Sequence, residues 1–201
     1  MILVKDNSDG SWLYNLAVIV SIPVGDITFS WRKNNIVAGA ISGGTMSCPA
    51  NEWCHVAVTY DHDKMRMYVN GELAGEKSPV WPGVEPETDS LDLGGSSEPL
   101  YVFGSQAGQW WFNGQIDEMA AFTKYMTQAE IQEKMNSEII PDSSTQLLYH
   151  LNNDSAYGES EAFIHDFSGN GNDAVYDGHS NLVDSVSCGS RNSDTTGIPS
   201  N

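Results

Sequence analysis

The chain has 201 residues, 40% of them hydrophobic and 10% aromatic, and its 27 acidic residues against 9 basic ones give a net charge of −18. That length and composition suit one β-sandwich domain with a two-sheet core. The charge argues against nucleic acid and anionic membrane surfaces as partners, since neutralising phosphates needs Lys/Arg clusters that are absent. The acidity fits calcium binding, a salty environment, or simply a solvated surface. No apolar run reaches the roughly 18 residues of a membrane-spanning helix, so no membrane insertion is expected. The short run Leu16–Ile22 reads as a buried strand. Asp6 and Asp9 sit where a signal peptide would be basic, so no signal peptide is expected in this chain.

In chain order, Met1–Lys5 is a short apolar run and Asp6–Gly10 a turn cluster. Trp12–Ile22 is a strand region, and Pro23–Asp26 turns the chain. Ile27–Arg32 alternates Ile27, Phe29 and Trp31 on one face, then Lys33–Asn35 turns it again before a strand at Ile36–Ile41. Strand and turn recur about every 8 to 12 residues, as in all-β sandwiches. Cys48 and Cys54 flank a loop and are either a disulfide or two free buried thiols. Cys188 is left over, and the odd count leaves the redox compartment open.

Asn51–Gly75 specifies a meander on its own. Trp53–Tyr60 is a strand with Val56, Val58 and Tyr60 on one face, and Asp61–Lys64 is a polar break. Met65–Val69 then runs into Asn70-Gly71, whose type I′ turn needs positive φ at both central residues. Leu73 and Ala74 begin the return strand. A long loop, Glu76–Glu98, contains Trp81 and three prolines. Strands follow at Tyr101–Gly104 and Met119–Phe122. The helix runs from Thr127 to about Asn136, opened by the capping box Thr127-Gln-Ala-Glu130, with Ile131 and Met135 on its apolar stripe.

Two blocks carry a family resemblance. One is Trp53-x-His55-Val56-Ala57-x-Thr59-Tyr60-Asp61 followed by Tyr68-Val69-Asn70-Gly71. The other is Phe112-Asn113-Gly114-x-Ile116-Asp117-Glu118, a strand, and then Thr127-x-Ala129-Glu130-Ile131. In this order and spacing they resemble the laminin-G-like jelly-roll domains of the concanavalin A-like lectin/glucanase superfamily. The resemblance implies an all-β, two-sheet antiparallel jelly-roll sandwich with one short capped helix near residues 127–136.

A third block, Leu147–Asn152 and His165–Asp173, resembles the opening of such a domain but follows the closing helix. Residues 1–137 are therefore expected to form most of one sandwich. Residues 138–186 resemble opening strands, packed back or starting a repeat, and 187–201 form a loosely ordered tail. A fragment, a circular permutant and strand addition from a neighbouring domain or chain all fit this order. The strands missing from the usual beginning favour the fragment.

Asp166-Phe-Ser168-Gly-Asn170-Gly-Asn172 places oxygen side chains at alternate positions of a glycine-rich loop. It is the candidate calcium site, set against an Asx-rich turn with no metal. The resemblance implies Asp117 and Glu118 as completing ligands of a structural calcium. Trp31 and Trp53 sit in alternating strands and are expected in the core. Trp81, in a proline-rich loop, and one of the adjacent Trp110 and Trp111 are the candidate ligand-binding platform, because exposed aromatic faces take the apolar faces of sugars. The alternative is an outward tryptophan covered by a loop.

Catalysis has little support. Glycosidases of the superfamily place two glutamates near one glycosidic bond. Here the dense acid cluster Glu85-Pro-Glu87-Thr-Asp89 reads as a solvated turn, and the adjacent Asp117 and Glu118 point apart. No phosphate loop, nucleophile elbow or zinc spacing is present. The expected function is a non-catalytic recognition or adhesion module, secreted or surface-exposed, that binds carbohydrate or a cell-surface glycan. The alternatives are a glycan-cleaving hydrolase or lyase of the same superfamily, and a structural spacer of a surface or virion protein.

Overall fold

The computed structural model describes residues 3–6, 14–21, 26–33, 36–49, 52–78, 100–102, 115–152, 154–160 and 163–175. They form antiparallel sheets and one α-helix, as an all-β jelly-roll sandwich requires. Contacts divide the chain into two units. Residues 1–112 and 126–132 make the first, and residues 113–125 and 133–201 the second.

The described residues of the first unit form two sheets. The larger is built from β1 (Leu3–Asp6), β2 (Tyr14–Ser21), β3 (Asp26–Lys33), β4 (Ile36–Ser47) and β8 (Leu100–Val102), in the order β4-β3-β2-β1-β8. The smaller is the meander β5 (Val56–Tyr60), β6 (Met65–Val69) and β7 (Glu72–Lys77). Alternation decides which residues enter the core. Ile27 and Phe29 of β3 and Ile41 of β4 meet Met65, Met67 and Val69 of β6, with Val56, Val58, Tyr60 and Ala74 packed around them. Each fully buried side chain of this size contributes about 1.5–3 kcal/mol.

The meander forms as its sequence demands. Asn70 and Gly71 have φ of 50° and 78°, the type I′ signature. The Asn70 side chain adds a bond that the turn type does not require, accepting the His55 N–H at 2.8 Å, while the Asn70 N–H donates to the His55 carbonyl at 2.8 Å. At the Asp61–Lys64 break, the Asp61 carboxylate accepts the Lys64 and Asp63 N–H groups and pairs with Arg66. Partial burial pushes the Asp61 carboxyl up. The Arg66 guanidinium and the two N–H donors outweigh it and hold the carboxyl at about 2.

Cys48 and Cys54 are joined in a disulfide across a Cα–Cα distance of 5.6 Å, which resolves the sequence alternatives in favour of the bridge. Trp53 is half-buried. The side chain of Trp31 lies outside the description.

The helix α1 (Gln128–Met135) starts at the expected box. The Thr127 N–H donates to Glu130 Oε2 at 2.8 Å, and the Glu130 N–H donates to Thr127 Oγ1 at 3.3 Å. Ile131 and Met135 are buried, as their spacing predicts. Gln128 and Gln132, one turn apart, both donate to the Gly71 carbonyl, at 3.0 and 3.1 Å. The start of the helix is thus tied to the hairpin tip.

In the second unit β9 (Met119–Phe122) pairs antiparallel with β10 (Thr145–Tyr149), so Leu148 faces Ala120 and Tyr149 faces Met119. A two-residue ladder, β11 (Phe163–Ile164) with β12 (Ala174–Val175), brackets the Asp166–Asn172 loop.

Candidate functional site

Asp166 is 2% exposed and organises its loop. Oδ1 accepts the N–H of Leu148 at 3.0 Å and of Ser168 at 3.0 Å. Oδ2 accepts the Ser168 hydroxyl at 2.8 Å and the Asn172 N–H at 3.0 Å. Burial pushes this carboxyl up, but the Ser168 hydroxyl and the three backbone donors together hold it below the usual carboxylate range. Gly169 and Gly171 supply the positive φ, 83° and 73°, that turns the chain around it. The side-chain amides face outward from the loop onto β10. Asn170 Nδ2 donates to the Thr145 carbonyl at 2.9 Å, and Asn172 Nδ2 to the Gln146 carbonyl at 3.0 Å.

The four loop residues Asp166, Ser168, Asn170 and Asn172 therefore do come together, but around hydrogen bonds rather than a cation: Ser168 and Asn172, with Leu148, donate to the Asp166 carboxylate, and Asn170 bonds to Ser168 and β10. A calcium cage needs six to eight oxygens converging on a cation. The Asp166 oxygens already accept four bonds, so this arrangement does not fit that ion. Among the described residues, no group of three or more His, Cys, Asp or Glu side chains is placed to hold a metal. Asp117 is half-buried on the stretch before β9. Glu118 engages a histidine: His150 Nδ1 lies 2.9 and 3.0 Å from its two carboxylate oxygens. Trp81, Trp110 and Trp111 lie outside the described residues.

Glu118 and His150 sit just past the last ladder pair, Met119 with Tyr149. Glu118 and Leu151, the neighbour of His150, both have left-handed backbone, with φ of 59° and 57°. Each such non-glycine residue costs about 1–3 kcal/mol and persists only where its surroundings fix it.

An aromatic cluster extends from this pair. The His150 ring packs on Phe167 at 4.4 Å, and Phe167 meets His165 edge-on at 4.8 Å and Tyr157 edge-on at 4.8 Å. Tyr157 stacks on His165 with centroids 5.8 Å apart and planes 12° apart, a favourable offset geometry. His165 Nδ1 lies 3.1 Å from Asp173 Oδ1, which also accepts the Asp166 N–H at 2.8 Å.

Tyr157 is 55% exposed, yet its backbone is tied down. It ends a 3-10 turn, Ser155–Tyr157, capped by Asp154 Oδ1 accepting the Ala156 N–H at 2.9 Å and closed by Gly158 at φ 79°. The Glu159 side chain, in a residue only 6% exposed, accepts the Asp154 N–H at 2.8 Å and the His165 N–H at 3.3 Å. Sequence reading missed this ledge because Tyr157, His165 and Phe167 lie on no common strand or helix. The signal available was a run of Asp, Gly and Glu around a lone tyrosine.

A family model, Laminin_G_3, described as the concanavalin A-like lectin/glucanases superfamily, matches residues 1–132. No curated protein matches the sequence. Among solved structures, the chain is similar to a Bacteroides ovatus protein described as a "putative carbohydrate binding protein". The identity is 20% and the TM-score 0.53, over 86% of this chain and 50% of that one. The chain thus spans half the length of that relative. An S-layer domain-containing protein from Clostridium thermocellum is 24% identical over 63% of this chain and 58% of its own, with a TM-score of 0.29. The match of the family model over most of the length, on a two-sheet antiparallel sandwich with a capped helix, makes this chain a member of the laminin G-like domains of the concanavalin A-like lectin/glucanases superfamily.

Proposed function

We propose that this chain is a non-catalytic recognition module that binds carbohydrate at a secreted or surface-exposed location. The observation that carries the reading is the shared sandwich: over 86% of its length the chain follows the fold of a protein described as a "putative carbohydrate binding protein". The Cys48–Cys54 bridge supports an oxidising, extracytoplasmic setting, where disulfides persist. No helix among the described residues is long and apolar enough to cross a membrane. In this reading the Asp166 carboxylate itself, rather than a calcium ion, staples the loop to β10. A glycan array probed with labelled protein, with and without chelator, tests the function. Discrete glycan binding that survives chelation is expected, and an array without any specific signal contradicts the reading.

A further inference from the structure

We infer that the Tyr157 ledge is a saccharide subsite, and that its ligand is a neutral sugar. The inference rests on the recognition reading and names the place and ligand class. Three observations carry it. First, a large aromatic ring is held at the surface, 55% exposed, by a capped turn and a buried glutamate. Its contacts with His165 and Phe167 order the ring while leaving more than half of the residue in solvent, and a fixed aromatic face suits the C–H face of a pyranose. Second, polar groups rim the ring. His165 stacks on it, and the Asp173 side chain is 36% exposed beside His165. The Asp166 N–H hydrogen bond and the His165 ring contact both fall on Asp173 Oδ1, and no described residue donates to its other oxygen. That oxygen is an acceptor for a sugar hydroxyl. Third, the surroundings are acidic: Glu118, Asp154, Glu159, Asp166 and Asp173 bear on the same cluster. In a chain of net charge −18, sulfated and carboxylated glycans are repelled.

Affinity electrophoresis of the whole chain through gels containing dextran, mannan, xylan, galactan or β-glucan, with heparin as the acidic counterpart, tests this. Retardation by a neutral polysaccharide and none by heparin is expected. Tyr157→Ala should weaken that retardation about tenfold or more, as loss of a central aromatic contact does, and Tyr157→Phe should keep it. Asp173→Asn retains Oδ1 while replacing the free acceptor with a donor, and should weaken binding severalfold. Melting temperatures show that each variant is folded. A folded Tyr157→Ala retarded like the wild type overturns the ledge and leaves the recognition reading standing. Retardation by heparin overturns the neutral class. A wild type that passes all five neutral gels unretarded, together with an array lacking specific signal, overturns both readings.

Discussion

The Asn70-Gly71 hairpin and the Asp166–Asn172 loop both turn the chain through left-handed backbone, but different forces hold them. The hairpin closes strands whose inward side chains, Met65, Met67 and Val69, are buried in an apolar core. The loop closes around a buried carboxylate that accepts four hydrogen bonds. In one place burial of apolar surface fixes the geometry, and in the other the solvation of a single anion by backbone and hydroxyl donors does. The second kind of order is directional. It can hold residues of no common strand or helix, and so it can present an aromatic ring to solvent.

The contrast is sharpest under substitution. Asp166→Ala strands four donors and should cost about 4 kcal/mol in thermal unfolding, with Asp166→Asn in between. A cost no larger than that of an exposed substitution would break the comparison. Met67→Ala removes apolar volume from the first unit and should cost about 3 kcal/mol by denaturant titration. Cys54→Ser opens the short bridge and should cost about 2 kcal/mol, matched in the wild type by reductant.

Acid should weaken the Asp166 loop and, in the meander, the Asp61–Lys64 turn through their carboxylates. Asp166 and Asp61 both titrate below the ordinary value of 3.8, Asp61 at about 2. Their contributions are therefore present above about pH 4 and are lost as pH falls through the lower folded values. Thermal melts between pH 6 and 2 should show this decline. The smallest effect is expected from chelation: EDTA should leave the melting temperature unchanged. A fall of several degrees would return calcium to the Asp166 loop.

Where period and turn chemistry act locally, the sequence was readable. Met65–Val69, the Asn70-Gly71 turn, Met119–Phe122 and the Thr127–Glu130 box fall where the residue pattern places them. The bridge between Cys48 and Cys54 was readable only as one of two choices, since a loop of that size permits a bridge without requiring it. The site was less legible. Alternating oxygens in Asp166–Asn172 look the same whether they will coordinate a cation or be coordinated by N–H groups. What decides is where the backbone donors of Leu148, Ser168 and Asn172 point. The stack of Tyr157 on His165 joins residues eight apart through a turn, a buried glutamate and a two-residue ladder, which no periodic pattern announces.

The central claim is that a saccharide is recognised on the ledge that the buried carboxylates hold in place. An NMR titration of the labelled chain with a soluble oligosaccharide of whichever neutral polysaccharide retards it tests this most directly. The account predicts saturable shifts centred on Tyr157, His165 and Asp173, with the core signals of Met65 and Met67 unmoved. Saturable shifts elsewhere in the chain, with residues 154–173 silent, would contradict it.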